Sequence, residues 1–151
     1  MTLDKQNIDN IDRQILDILS TDGRVSISKL AELVSMSAPS VTDRVRRLED
    51  RGILLGFTVE VGFEALGYNL EAIVRIKPRP GMLRQVEKMI LDQPRFVYCD
   101  RVTGEDCYIA KLLLKSIGEL DDILGVFHDY AETNTSVVKS PLLKKRNLFS
   151  R

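Results

Sequence analysis

The sequence is poor in the residues that most often build catalytic and metal sites. Its 151 residues include no tryptophan, one histidine (His128) and two cysteines (Cys99 and Cys107). Two cysteines are too few for a disulfide framework or a structural zinc site, and a single histidine leaves a metal centre or catalytic triad without partners. We therefore expect no metal and no other cofactor, and we expect both cysteines to be reduced, buried, small apolar residues.

Long apolar runs are also absent. No stretch approaches the roughly 20 apolar residues that a membrane-spanning helix needs. The first ten residues, MTLDKQNIDN, contain no apolar signal region. We expect a cytoplasmic protein with no membrane partner, and the length suits one domain or two small ones.

The net charge is zero, with 22 basic and 22 acidic side chains, so no uniformly basic domain is present. Residues 1–62 carry 8 Lys/Arg against 10 Asp/Glu, while residues 139–151 carry five basic side chains and no acidic one. Affinity for DNA would therefore come from local patches, multiplied by oligomerisation. The basic tail, 142–151, could reach DNA or remain solvated.

Residues 26–52, SISKLAELVSMSAPSVTDRVRRLEDRG, have the pattern of two short helices joined by a turn. Ser26 and Ser37 are good N-caps, and Pro39 falls in the first turn of the second helix, where a missing N–H does no harm. Apolar residues recur at helical spacing in both segments, and Gly52 is a good terminator. This pattern predicts a helix-turn-helix.

The outer face of the second helix carries small polar groups near its N-terminus and arginines further along. A recognition helix in a DNA major groove presents that arrangement, although an ordinary solvated amphipathic helix does so too. The candidate DNA-binding residues are Ser37, Pro39, Ser40, Thr42, Asp43, Arg46 and Arg47. Asp43 would face a base edge or pair with Arg47 four residues on. Arg44 points nearer the packed side, so we expect an intramolecular ion pair there, or at most a phosphate contact.

Two elements flank this motif. Residues 8–19 predict a helix, because Ile8, Ile11, Ile15 and Leu19 form one apolar stripe. Residues 53–59 are rich in β-formers and predict a strand, either the wing of a winged helix-turn-helix or a connection to the next domain. Residues 61–67 predict a hinge.

The remainder of the chain alternates strand and helix patterns in the order β-α-β-β-α-β. The predicted segments are strand 68–77, helix 82–90, strand 96–103, strand 107–114, helix 117–127 and strand 133–140. This order predicts an α+β protein whose second domain, 68–141, is ferredoxin-like, with both helices on one face of an antiparallel sheet. Ile73, Val97 and Cys99 would then lie on the other face in water, which predicts a homodimer through the sheet. The first domain would comprise residues 1–60.

The whole pattern resembles the Lrp/AsnC family of transcription factors. The resemblance covers essentially the full chain and lies in motifs that occur in order at the expected separations. These are Ile11-Asp12-Arg13 with Ile15-Leu16, Asp22-Gly23-Arg24, Ser37 followed by Val41, Arg44-Val45 and Arg47-Leu48-Glu49, Gly52-Ile53-Leu54 with Gly56-Phe57, and Val102-Thr103-Gly104-Glu105-Asp106-Cys107-Tyr108.

The resemblance implies a transcriptional regulator that binds double-stranded DNA through the second helix of the motif. It also implies dimers that often assemble into octamers, with a small-molecule effector, often an amino acid, bound between dimers. The implied effector-binding residues are Thr103, Gly104, Glu105, Asp106, Thr133 and Thr135. The chain departs from the family at Ser35, where glycine is usual, and at 128–131, which lack the Leu-Pro-Gly-type turn of relatives.

Ordinary structural roles for these residues, and other functions for the protein, are also consistent with the sequence. Gly104 and Asp106 suit an ordinary hairpin turn, and Thr133 and Thr135 suit an ordinary strand. A DNA-wrapping protein of low sequence preference is one alternative function. An enzyme is another, because the architecture also resembles the sirohaem decarboxylases, but His128 has few partners for acid–base chemistry.

Overall fold

The computed structural model describes residues 8–143, which divide into two compact units, 8–60 and Val61–Leu142. Each unit has its own cluster of buried apolar side chains. Among the described residues, no helix is both long enough and apolar enough to cross a membrane. Most of the predicted basic tail, including Lys144, Lys145 and Arg146, lies outside the described residues.

The first unit contains three helices, α1 (Asn10–Thr21), α2 (Ile27–Leu33) and α3 (Ala38–Asp50). Its fully buried side chains are Ile15, Leu30, Val41 and Leu48, supplied by all three helices. The predicted helix 8–19 begins two residues late because Asp9 is its N-cap. The apolar residues predicted at helical spacing in α2 include Ile27, and that prediction is wrong there because Ile27 is exposed in the first helical turn.

The turn between α2 and α3 is a Schellman motif. The N–H of Met36 donates to the Ala31 carbonyl at 2.9 Å, and the N–H of Ser35 donates to the Glu32 carbonyl at 3.2 Å. Ser35 has φ +55°, the one positive φ of a non-glycine residue among residues 8–143. A glycine at this position would adopt the left-handed conformation without the Cβ clash that serine incurs.

The predicted strand 53–59 is wrong in the single chain. The structure has no strand at residues 53–59, and the side chains of Leu55 and Val59 are 91% and 80% exposed. A strand requires a paired neighbour, and within this unit the structure describes none, so β-propensity alone does not produce the predicted wing.

The second unit begins with a 3-10 helix, Phe63–Leu66, inside the segment predicted as a hinge. It continues with β1 (Leu70–Pro78), α4 (Leu83–Asp92), β2 (Phe96–Arg101), β3 (Tyr108–Leu114), α5 (Gly118–Gly125) and β4 (Ala131–Val137). The antiparallel sheet has the order β2-β3-β1-β4, with β3 and β1 central. This confirms the predicted ferredoxin-like arrangement.

One face of the sheet packs against the helices. Val74, Ala110 and Leu112 on that face share a core with Val86 and Ile90 of α4. Alternation along the strands leaves Ile73, Ile109, Lys111 and Glu71 on the other face, which we call the open face. Lys111 and Glu71 form an ion pair of 2.9 Å there.

The two cysteines do not match their predictions fully. A register shift at Val97 places Cys99 opposite Ala110, so Cys99 belongs to the helix-covered face and not to the open face. Cys99 is nevertheless exposed because β2 is an edge strand, and Cys107 is partly buried. Both are free thiols. The expectation that both are buried is wrong, because neither is fully buried. Val97 is exposed, as predicted, at 43%.

We expect Ser35→Gly to stabilise the first unit by about 0.5–1 kcal/mol, because the left-handed strain at Ser35 exceeds the extra entropy that glycine loses on folding. Urea unfolding followed by the NMR methyl signals of Val41 and Leu48 would measure this. Ser28→Gly, a serine inside α2, is the matched control and should not stabilise. Equal effects of the two substitutions would contradict the assignment of strain to Ser35.

Candidate nucleic-acid interface and effector hairpin

The N-terminus of α3 is built from small hydroxyl side chains. The Ser37 Oγ accepts a hydrogen bond from the Ser40 N–H at 3.4 Å and lies 2.7 Å from the Ser40 Oγ. Thr42 donates its hydroxyl proton to the Ala38 carbonyl at 2.9 Å. The serine caps, with Pro39 in the first turn, allow the backbone to begin the helix with little bulk. This end of α3 can therefore approach another surface closely.

The predicted DNA-binding side chains lie outward on α3. Six of them are exposed and Ser40 is partly buried. Among the described residues, Arg46 forms no hydrogen bond or ion pair with its side chain. The Arg47 Nε donates to the backbone carbonyl of Asp43 at 3.4 Å, so the alternative side-chain pair between Asp43 and Arg47 is not formed in the described part of the chain.

Arg44, by contrast, forms ion pairs within the first unit. Its Nη1 donates to the Asp9 Oδ2 at 2.6 Å and to the Asp12 Oδ1 at 2.7 Å, and its side chain is only 19% exposed. The predicted intramolecular ion pair is confirmed, and it joins α3 to the start of α1. The backbone N–H of Asp12, aided by Arg44, lowers the pKa of Asp9, and the two carboxylates raise the pKa of Arg44.

Sequence reasoning did not identify the acidic partners of Arg44. Asp9 and Asp12 also form a capping box, in which each side chain accepts a hydrogen bond from the other residue's N–H. The sequence did contain a signal for the capping box, namely two acidic residues three positions apart at the start of an apolar stripe. What it could not indicate is that both carboxylates also face a residue 32 to 35 positions away.

The predicted effector residues 103–106 form the tip of the hairpin between β2 and β3. We call residues 102–107 the effector hairpin. Gly104 has φ +120°, Thr103 and Glu105 are exposed, and Asp106 is partly buried. The hairpin is closed by the N–H of Val102, which donates to the Cys107 carbonyl at 2.9 Å.

Thr133 lies at the same end of the sheet as this hairpin. It pairs with Ile76 of β1, which in turn pairs with Tyr108 at the start of β3. Two strand spacings therefore separate Thr133 from Tyr108, roughly 9.5 Å. Thr133 is exposed and Thr135 is partly buried. The two groups of predicted effector residues thus come to one end of the helix-covered face, and their binding role stays a prediction.

A cluster that sequence reasoning missed stands at the base of the effector hairpin. The hydroxyl of Tyr108 donates to the Glu87 Oε1 at 2.6 Å, and Arg101 bonds to the same oxygen. The hydrogen bond from Tyr108 is the main cause of the lowered pKa of Glu87, and burial is the main cause of the raised pKa of Tyr108. No local sequence pattern joins these residues, which come from α4, β2 and β3.

Among residues 8–143, no group of three or more His, Cys, Asp or Glu side chains is placed to hold a metal ion. His128 instead uses its backbone, since its carbonyl accepts a hydrogen bond from the Arg79 Nη2 at 3.2 Å.

Comparison with known families assigns both units of this architecture. Residues 8–49 match the AsnC-type helix-turn-helix domain, and residues 71–148 match the Lrp/AsnC ligand binding domain. The chain belongs to the Lrp/AsnC family of transcriptional regulators. Helices α1 to α3 are therefore the helix-turn-helix domain of the family, and the ferredoxin-like unit is its ligand binding domain.

Individual family members agree with this assignment. The chain is 33% identical over 135 residues to the transcriptional regulator LrpC of Bacillus subtilis, covering 89% of this chain and 94% of LrpC. The structure of LrpC superposes with a TM-score of 0.85 at 32% identity, covering 92% of this chain and 99% of that one. A feast or famine regulatory protein of Mycobacterium tuberculosis, solved with L-methionine, gives a TM-score of 0.81 at 28% identity, with 95% and 100% coverage.

We expect Arg44→Ala to destabilise the helix-turn-helix domain by about 2 kcal/mol, because Asp12 would be left without its cation in a site where its side chain is 12% exposed. Urea unfolding followed by the Val41 methyl signal would measure the loss. Arg46→Ala is the matched control and should change the free energy of unfolding by less than about 0.5 kcal/mol. Similar losses for both variants would show that the ion pair is not the source of the effect.

Proposed function

We propose that this Lrp/AsnC regulator binds specific double-stranded DNA sites through the outward face of α3. The observation that carries the proposal is that neighbouring arginines of α3 differ in their surroundings. Arg44 is tied to two carboxylates inside the domain, whereas the side chains of Arg46 and Arg47 extend into solvent. This exposure leaves both guanidinium groups able to reach phosphate oxygens or base edges.

The chemistry of each side chain suggests its role on DNA. Ser37, Pro39, Ser40 and Thr42 are small enough to let the start of α3 enter the major groove and contact bases or the adjacent backbone. Arg46 and Arg47 can bind phosphate oxygens or the O6/N7 edge of guanine. The Asp43 carboxylate would repel phosphate, so it would face a base donor such as a cytosine amino group.

Assembly into homodimers would use the open face of the sheet. That face carries Ile73 and Ile109, which no helix covers, beside the exposed Val97 and Tyr98 of β2. A second copy would bury these side chains, and two DNA-binding domains per dimer would read half-sites separated by about one helical turn or a multiple of it. Further association of dimers would give the octamer that the resemblance implies.

An amino acid is the effector that the hairpin chemistry fits best. The carboxylates of Asp106 and Glu105 could accept the ammonium group in a charge-assisted bond, while Thr133 and Thr135 offer hydroxyl groups. The complex of the mycobacterial relative with L-methionine supports this class of ligand. An effector bound between dimers would change DNA binding only by preferring one assembly or one spacing of the DNA-binding domains.

The DNA proposal is tested by replacing the two exposed arginines. Arg46→Ala and Arg47→Ala should each weaken binding to a specific promoter fragment by about 1–3 kcal/mol. Each lost phosphate contact should also reduce the slope of log K against log salt concentration by about 0.9. Fluorescence anisotropy at several salt concentrations would measure both quantities.

Arg84→Ala, which removes the same charge from the other unit, is the control. The proposal fails if the α3 variants bind with unchanged affinity and salt slope, or if Arg84→Ala weakens binding equally. The same titration with random DNA separates the DNA-wrapping alternative, for which the promoter fragment would have no advantage.

The dimer proposal predicts that Ile73→Lys shifts the protein towards monomers, because a lysine would place an unpaired charge inside the interface. Multi-angle light scattering would measure the mass in solution. Gln85→Lys, which adds the same charge to the exposed side of α4, is the control. If Ile73→Lys keeps the wild-type mass, the open face is not the interface.

A further inference from the structure

Glu87 connects α4 to both strands of the effector hairpin. Its Oε1 accepts the hydroxyl proton of Tyr108, at the start of β3, at 2.6 Å. The same oxygen is bonded by Arg101, at the end of β2. Arg101 and Tyr108 are directly paired across the two strands and form the last ladder pair before the turn. One carboxylate oxygen of Glu87 therefore bonds to both residues at the base of the hairpin.

The burial of Tyr108 makes this contact hard to replace. The residue is only 4% exposed, so loss of the Glu87 carboxylate would leave its hydroxyl without this protein acceptor. The Arg101 side chain is far more exposed, at 73%, and after Tyr108 it also lowers the pKa of Glu87 through its hydrogen bond and positive charge. Arg84, one turn earlier on α4, acts on Glu87 in the same electrostatic sense.

The position of Tyr108 extends the effect of this contact beyond the hairpin. Tyr108 pairs with Ile76, and Ile76 pairs with Thr133. The Cys107 N–H also donates to the Ile76 carbonyl at 3.2 Å, so the hairpin is joined to β1 just beside this row. A shift of Tyr108 would therefore alter the distance between Asp106 and Thr133, which a single ligand would have to span.

We propose that Glu87 is a positioning residue that holds the effector hairpin, through Tyr108 and Arg101, in the geometry that receives the ligand. This inference rests on the proposed effector function of residues 103–106. Glu87 itself does not contact the ligand. Its Oε1 bonds to Tyr108 and Arg101 at the base of the hairpin, so its influence would pass to the hairpin through these two residues.

Amide hydrogen exchange of the full-length protein tests the inference without any ligand. Glu87→Ala should speed exchange of the Val102 and Cys107 amides about threefold to tenfold, while the Val74 and Leu112 amides in the central strands keep their rates. Glu87→Gln should restore much of the protection, because its amide oxygen still accepts the Tyr108 hydroxyl. Gln85→Ala, on the exposed side of α4, should have no effect.

Tyr108→Phe serves as a second variant in case Glu87→Ala folds poorly, since it keeps the ring in the core. It should speed exchange of the hairpin amides like Glu87→Ala, and the double variant should be no worse than the more affected single one. Unchanged hairpin exchange in both single variants would overturn the proposal. So would equal acceleration throughout the sheet, which would indicate a general loss of stability.

Calorimetric titration with L-methionine, L-leucine and L-asparagine then examines the consequence for binding. For an amino acid that binds the wild type, Glu87→Ala should raise the dissociation constant about threefold to tenfold, and Glu87→Gln should raise it less. Equal affinity in all three proteins would overturn the positioning role. If the wild type binds none of the three, the choice of effector is contradicted, whereas the exchange rates still decide whether Glu87 holds the hairpin.

Discussion

The ion pair of Arg44 with Asp9 and Asp12 determines what α3 can offer to DNA. Because successive residues of a helix are rotated by about 100°, fixing Arg44 against α1 places Arg46 on nearly the opposite side and leaves Arg47 at the flank. The pair is partly shielded from water, with 19% of the Arg44 side chain and 12% of the Asp12 side chain exposed, so its geometry is held more firmly than that of a surface salt bridge. The ion pair therefore helps to hold the orientation of the proposed DNA-reading face without itself needing to touch DNA.

Local signals predicted most of the fold because they describe properties of single segments. The serine caps of α2 and α3 formed as expected, and the order of strands and helices was sufficient to predict the ferredoxin-like sheet. Predictions that depended on a partner were less secure. Residues 53–59 have the composition of a strand but no neighbour to pair with in their own unit, and the register shift at Val97 moved Cys99 to the opposite face from the one that strict alternation predicts.

The same distinction applies to the sites. The outward direction of Arg46 and Arg47, and the inward direction of Arg44, could be predicted because helix periodicity places each of them relative to the buried Val41 and Leu48. The identity of the Arg44 partners could not, since it depends on how α1 packs against α3. Glu87 was missed for the same reason. A glutamate on an amphipathic helix has no distinguishing feature until β2 and β3 bring Arg101 and Tyr108 to its carboxylate.

The two faces of the sheet separate the roles proposed for the second unit. The open face carries Ile73 and Ile109, whose burial by a second copy would yield apolar stabilisation. The other face ends in polar groups, where the hairpin, Tyr108 and Thr133 follow one row across β3, β1 and β4. The central strands β1 and β3 contribute to both faces, since Ile73 and its neighbour Val74 point in opposite directions. A ligand that shifts this row would therefore act on the strands of the proposed dimer interface, which would give effector binding a direct structural route to assembly.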